Sequence, residues 1–468
     1  MMLIGRIEEC RRLKQALDDE KSHFIALYGR RRVGKTFLVK EYFEHKFTFY
    51  CTGLLKGNKK QQLANFTNAL STHFSDYEPS TQISTWFEAF NSLSVALKKT
   101  QTKGKKIIFI DEMPWMDTSG SDFILGLEYF WNSWASARKD IVFIVCGSAT
   151  TWMVGKIFNN TGGLYNRVTI KMKIDPFTLQ ECYDYFRAKG FKYTAMQCVE
   201  VYMVFGGIPF YLEQFQKELS PVQNINKLFF GSNALFTNEY DLLFKSLFKN
   251  YDSHVAVIEA ISRKNKGLDR GLIAKISGLS DGGSLTKILT NLENSNFIRK
   301  YRSLHKKSKD TLYQLIDPFC LFYNNMKESF ADDDFWLKNY ATPKYHNWSG
   351  YAFEIVCFNH LTQIKSALGI SGIQSQSFSW NNAQAQIDLI IDRADNVINL
   401  CEIKYSQGPY TITKKYDGEI RNKIQQFSQF GSGKKAIWPV MICPFGLAKS
   451  PYNYLFVKVL DADIFIKQ

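Results

Sequence analysis

"HFIALYGRRRVGKTFLVKEYFEH", residues 23–45, decides the fold of the first part of the chain. His23 to Tyr28 make a short apolar run of the kind that fills a strand buried on both faces. Gly29, Arg30, Arg31, Arg32, Val33, Gly34, Lys35 and Thr36 then match the spacing Gly-x4-Gly-Lys-Ser/Thr. A helical pattern follows. A loop of this kind between strand and helix aims backbone N–H groups and a helix N-terminus at one spot, which makes a cradle for phosphates. There Lys35 reaches the β- and γ-phosphates, and the Thr36 hydroxyl ligates Mg²⁺. A chance match does not account for the strand before the loop and the helix after it. The expected cofactors are ATP and Mg²⁺.

Two further apolar runs, "KIIFID" (106–111) and "IVFIVCGS" (141–148), alternate with helical stretches such as "DFILGLEYFWNSWASA". Strands alternating with helices predict a doubly wound α/β sheet over residues 1 to about 245, mostly helical from about 175. The first run ends in Asp111-Glu112. Asp111 is placed to hold Mg²⁺ directly or through water, and Glu112 to orient and activate the attacking water. Ser148, at the end of the second run, is either a sensor of the γ-phosphate or a plain strand-end turn. Arg167 follows a Gly-Gly stretch. It is either an arginine finger on a neighbour's nucleotide or a solvated surface residue. "GGIPFYL" (206–212) reads as a helix-breaking turn.

In this order, "LIGRIEE", "GRRRVGKT", "FIDEMPW", "CGSAT", "YNRVTIKMKIDPF" and "GGIPFYL" resemble the motifs of the archaeal-type AAA+ ATPases of prokaryotes, which belong among the signal-transducing P-loop ATPases. The resemblance covers residues 1 to about 245. It implies that Ser148 is sensor 1, that Arg167 is the arginine of the Asn-Arg segment, and that Gly206 to Pro209 close a helical lid over the nucleotide.

A chain of 468 residues exceeds one ordinary core, so about three domains are expected. The composition is globular, with 45% hydrophobic and 15% aromatic residues to fill large cores. The formal net charge of +15 points to an anionic partner, nucleic acid rather than a membrane surface, unless the chain is merely basic. Nine cysteines without a CxxC pair, several inside apolar runs (Cys146, Cys401), suit a reducing compartment. No zinc spacing is visible among them and the seven histidines. The N-terminus lacks an apolar signal region, and no run approaches the ~18 residues of a membrane span. A cytoplasmic protein without a membrane partner is expected.

Residues 251–316 change character. "SHVAVIEAISR" and "GLIAKISG" read as helices. "SLTKILTNLENSN" sets Leu285, Ile288, Leu289 and Leu292 on one helical face. "FIRKYRSL", a basic turn and "TLYQLID" read as a hairpin. Three short helices and a hairpin describe a winged helix-turn-helix. Between Arg263 and Lys309 there are 12 Lys/Arg against 3 Asp/Glu. Lys287 falls on the recognition helix of such a module, and Lys306, Lys307 and Lys309 in its wing. Duplex DNA is one partner implied by charge and shape. A protein docked on the winged helix is the other.

After an aromatic helical linker (317–345), the last segment (346–468) carries "QIDLIIDRADNVINLCEIKYS" (386–406). Asp388, Glu402 and Lys404 have the spacing D-x13-E-x-K. Strand alternation puts Glu402 and Lys404 on one face, and a paired strand brings Asp388 beside them. Two carboxylates there suit Mg²⁺, with Lys404 orienting or activating water. Upstream, Glu354 interrupts the apolar face of a helix and is a further candidate ligand. Downstream, "RNKIQQF" offers Lys423 and Gln425. This pattern resembles the PD-(D/E)xK restriction-endonuclease-like fold, with Ile387 where the motif name has proline. A domain of this type recurs behind archaeal-type AAA+ domains, preceded by Asp-Pro-Phe as in "LIDPFCLFY". The implied fold class is therefore α/β: a P-loop NTPase with parallel sheet (1–175) and helical lid (176–250), a winged helix-turn-helix, and a C-terminal restriction-endonuclease-like α/β domain. Two functions follow. One is a DNA-associated ATPase with a metal-dependent nuclease. The other is a nucleotide-dependent switch or scaffold whose winged helix and nuclease-like domain bind partners without cleavage. A homo-oligomer is a further expected partner.

Overall fold

A computed structural model describes residues 3–75, 82–159, 162–301, 311–340, 342–430 and 435–466. The chain divides into two units, Met1–Pro176 and Phe177–Gln468.

In the first unit the apolar runs become strands because each residue finds apolar cover on both faces. β1 (His23–Tyr28), β2 (Phe49–Thr52), β3 (Lys106–Asp111), β4 (Ile141–Gly147) and β5 (Ile170–Lys173) form one parallel sheet in the order β2-β3-β4-β1-β5. β3 and β4 are buried along their whole length. Phe24 on β1 and Phe143 on β4 pack with ring centroids 4.9 Å apart, in a cluster with Trp86, Phe90, Phe130 and Trp131. β2 and β5, which the sequence reading did not single out, are the two edges of the sheet. β2 alternates buried and half-buried residues and β5 buries only Met172, so neither is buried along its whole length. The glycine-rich loop leaves the C-terminal end of β1 and enters the helix Lys35–Tyr42.

The second unit opens with helices, including Ala195–Phe205, which stops at Gly206 and Gly207, both in the left-handed region (φ 63° and 71°). Residues 251–301 and 311–315 then form three helices, Tyr251–Ser262, Arg270–Ser277 and Gly283–Asn294, and a small antiparallel sheet. That sheet is made of β6 (Leu268–Asp269), β7 (Ile298–Tyr301) and β8 (Leu312–Leu315) in the order β6-β8-β7. Lys306, Lys307 and Lys309 lie outside the described residues.

The remainder folds around a mixed sheet of β9 (Ser375–Asn381), β10 (Gln386–Arg393), β11 (Val397–Ile403), β12 (Ala436–Ile442) and β13 (Lys458–Leu460), in the order β13-β12-β11-β10-β9. β10 runs antiparallel to both β9 and β11, whereas β11, β12 and β13 are parallel. The helix Pro343–Asn359 is buried from Tyr351 to Phe358. Among the described residues no helix is long and apolar enough to cross a membrane.

Candidate functional site

The first site gathers at the C-terminal ends of β1, β3 and β4. Gly29 has φ 138°, and a Cβ there would stand 2.4 Å from the carbonyl oxygen of Ile174, so only glycine fits. Arg32 (φ 72°) and Gly34 (φ 86°) also bend the loop through the left-handed region. Lys35 is buried and folds back on the loop, its Nζ donating to the carbonyls of Gly29 at 3.0 Å and Arg30 at 2.8 Å. The Thr36 hydroxyl donates to both Asp111 carboxylate oxygens, at 3.0 and 2.8 Å. A hydroxyl and a carboxylate meeting at the mouth of a backbone cradle are the hard oxygen donors that Mg²⁺ prefers, so these residues fit a magnesium nucleotide.

Glu112 has φ 44°, a strained backbone for a residue with a Cβ. Its Oε2 accepts from the Ser148 backbone N–H at 3.2 Å and hydroxyl at 2.9 Å. Lys35, Thr36, Asp111, Glu112 and Ser148 thus form one neighbourhood. Arg30 and Val33 are buried in the loop and Arg31 is half-buried, whereas Arg167 is exposed in the turn ahead of β5. Arg6 has no assigned role in the sequence reading. It is nonetheless buried and donates to the Val33 carbonyl at 3.1 Å, bracing the loop from below.

The second site lies in the other unit. β10 carries one residue more than β9 between Ile387 and Ile390, a bulge that contains Asp388. Leu389 pairs with Cys401, and the same antiparallel register continued by one residue sets Asp388 opposite Glu402. Asp388 Oδ2 accepts from the Ile403 N–H at 3.1 Å. Glu402 is completely buried. Its Oε1 accepts from Lys423 at 2.6 Å and the Tyr416 hydroxyl at 3.0 Å, with Lys404 Nζ at 3.5 Å. Its Oε2 is buried without a hydrogen-bond partner among the described residues. Lys423 therefore joins the site while Gln425 is exposed, because two residues along a helix point to different faces.

Glu354 also arrives, but not as a neighbour of a free carboxylate. Between it and Asp388 sits the buried ammonium of Lys266, from the loop before β6, at 2.7 Å from Asp388 Oδ1 and 3.3 Å from Glu354 Oε2. Burial works against the Lys266 charge, yet the Asp388 and Glu354 carboxylates hold its pKa above the ordinary lysine value. Burial raises Asp388 too, but Lys266, then Lys423 and Lys404, pull it below its usual range. Burial and the nearby Asp388 charge push Glu402 and Glu354 up. Among the described residues no three His, Cys, Asp or Glu side chains converge to hold a metal. The donors are of the right kind for a divalent cation, but in this arrangement they do not fit one, because a lysine fills the space between two of them. The sequence holds no local sign of this contact, since Lys266 and Asp388 are 122 residues apart.

Comparison with known proteins finds matches in both units. Residues 3–215 match the model of an ATPase domain found predominantly in Archaea, and residues 319–420 match a family of archaeal and bacterial proteins of unknown function. An uncharacterised protein of Methanocaldococcus jannaschii is 26% identical over 90% of this chain and 92% of its own length. An uncharacterised ATP-binding protein of the same organism is 46% identical over 10% of this chain and 78% of its own. Among solved structures, the chain is similar to a Walker-type ATPase of Pyrococcus abyssi (17% identity, TM-score 0.49, 69% of this chain and 96% of that one). It is also similar to the ORC2 protein of Aeropyrum pernix (13% identity, TM-score 0.40, 73% and 96%). The chain is thus similar, over residues 3–215, to an ATPase domain found predominantly in Archaea and, over residues 319–420, to archaeal and bacterial proteins of unknown function.

Proposed function

We propose that the chain is a Mg-ATP hydrolase of the AAA+ class, associated with DNA and carrying a metal-dependent nuclease-like C-terminal domain. In this reading an ATPase core (1–175) and helical lid (176–250) are followed by a winged helix-turn-helix (251–316), a helical linker (317–345) and a restriction-endonuclease-like domain (346–468). One observation carries the ATPase part of this reading: the Thr36 hydroxyl meets Asp111 at 2.8 Å beside a loop whose lysine is turned inward onto its carbonyls. Thr36 and Asp111 would hold Mg²⁺, which would supply positive charge to the β- and γ-phosphates. The loop N–H groups cradle the phosphates, and Lys35 leaves the Gly29 and Arg30 carbonyls to pair with them. Glu112, held by Ser148, accepts a proton from the attacking water. Arg167, exposed, is free of the loop and is the candidate to complete a site on a second copy of the chain.

The test uses the full chain. Lys35→Ala weakens ATP binding by at least about tenfold, whereas Glu112→Gln keeps binding and lowers turnover by roughly 100-fold or more. Full turnover in Glu112→Gln would remove the hydrolysis assignment. Incubation with plasmid and linear DNA, with Mg²⁺ or Mn²⁺ and with or without ATP, tests the second unit. Cutting that vanishes in Glu402→Ala makes it a nuclease, and loss in Lys35→Ala as well puts it under ATP control. A second reading, a nucleotide switch whose second unit binds without cutting, is favoured by the Lys266 ammonium lodged between Asp388 and Glu354.

A further inference from the structure

The loop Asn265-Lys266-Gly267 joins a helix of the three-helix segment to β6, yet its lysine ends among the carboxylates of the C-terminal sheet. Nothing about this placement is loose. The Tyr301 hydroxyl donates to the Lys266 carbonyl at 2.6 Å, and Gln314 Nε2 donates to the Asn265 carbonyl at 2.5 Å. Gly267 turns the chain at φ 76°, where a Cβ would stand 2.3 Å from the Tyr313 carbonyl oxygen. Behind the loop, the Arg299 guanidinium lies 3.6 Å from the centre of the Phe358 ring, and Tyr301 packs in one cluster with Phe378, Trp380 and Ile387. The small sheet is thus fastened to the larger one, and the fastening delivers one ammonium to the acidic pocket.

That pocket also holds the opposite signal. Glu402 Oε2 is completely buried and has no hydrogen-bond partner among the described residues. A buried carboxylate oxygen without a donor asks for a cation or a proton donor. Asp388 faces it across the β10–β11 pair. Asp388 and Glu402, one of whose oxygens is unpaired, make an incomplete divalent-cation site; Lys423 and Lys404 hold the other Glu402 oxygen, and Lys266 fills the space between Asp388 and Glu354.

We infer that Lys266 is a latch: an internal cation that occupies the place of a divalent metal between Asp388 and Glu354, so that metal binds the Asp388–Glu402 pair only when the Asn265–Gly267 loop withdraws. This rests on the nuclease-like reading of the second unit. It gives that reading a control: the three-helix segment closes the acidic centre by electrostatic substitution. A charge fixed at 2.7 Å from Asp388 excludes a dication by repulsion and by volume.

The experiment is Mn²⁺ titration of the full chain without nucleotide, followed by calorimetry. It uses wild type, Lys266→Met, Asp388→Asn and the double variant. Binding that disappears with Asp388→Asn belongs to this site, whatever Mn²⁺ the first unit takes up. The latch requires Lys266→Met to bind at least tenfold more tightly than wild type, and requires the double variant to lose the gain. Equal, Asp388-dependent affinity in wild type and Lys266→Met would overturn the latch and leave the metal centre standing. No Asp388-dependent binding in any form would overturn both. Should Lys266→Met fail to fold, lysine acetylation of wild type read by mass spectrometry serves instead. Lys266 must be protected without metal and become reactive once Mn²⁺ fills the Asp388 site. Protection that persists at that occupancy overturns the latch.

Discussion

His360 uses both ring nitrogens while wholly buried. Its Nδ1–H donates to the Val356 carbonyl at 2.8 Å, and Nε2 accepts from the Leu179 N–H at 2.9 Å. A proton added to Nε2 would face a donor, and burial lowers the histidine to about 4. The unfolded chain takes up this proton near the ordinary value of about 6.5, so between the two values it binds more protons than the native state. The contribution is complete above about pH 6.5 and is lost as pH falls toward 4, by about 3 kcal/mol in all. Urea unfolding at pH 7 and pH 4 checks it. Wild type should lose about 3 kcal/mol more than His360→Asn over that range, and parallel losses would mean that the native histidine is not held neutral. The same scale shows which residues a sequence discloses. Lys35, Thr36, Asp111 and Glu112 are legible because loop, strand end and helix start are local features. Asp388, Glu402 and Lys404 are legible through strand alternation. Lys266 is not, because its role is set by where a distant loop comes to rest, and locally it reads as one more positive charge. Arg6, which supports the loop through Val33 O, is hidden for the same reason.

At the scale of the element, continuous apolar runs disclosed β1, β3 and β4, the three central strands. β2 and β5 escaped because an edge strand has one neighbour and needs less apolar cover, so its pattern fades into that of a loop. The turn at Gly206-Gly207 was legible as a break, but its reason is tertiary. A Cβ on Gly207 (φ 71°) would stand 2.1 Å from the Phe177 carbonyl oxygen, and the Phe177 N–H donates to the Gly207 carbonyl at 2.8 Å. Gly190 has a similar φ of 84° with nothing within 4 Å of a Cβ. The pair separates two costs. Gly190→Ala should lose only the left-handed strain, about 1–2 kcal/mol. Gly207→Ala should lose that and a further 1–3 kcal/mol or so of overpacking against a backbone atom. Urea midpoints measure both, and equal losses would show that the Phe177 contact yields without resistance.

For the whole molecule, the net charge of +15 overstates the positive surface of the three-helix segment. Of its basic residues, Lys266 is buried against Asp388, Arg270 pairs with Asp281, Lys300 meets Glu293 at 3.0 Å, and Arg299 is turned onto Phe358. A count of lysines and arginines cannot tell a charge that neutralises a neighbour from one that faces solvent. Lys287, on the helix Gly283–Asn294, is exposed and is one that remains. If this segment holds duplex DNA, affinity must fall steeply between 50 and 200 mM salt, because phosphate contacts release counterions. Lys287→Ala should then weaken binding alike on unrelated sequences and lower the slope of log affinity against log salt by about one. Glu293→Gln, which frees Lys300 from its internal partner, should leave that slope unchanged or raise it. Fluorescence anisotropy with two duplexes of unrelated sequence measures all three proteins. An affinity indifferent to salt, or a slope that Lys287→Ala leaves untouched, would turn the segment into a protein-docking module. The positive charge of the chain would then have to find its anionic partner elsewhere.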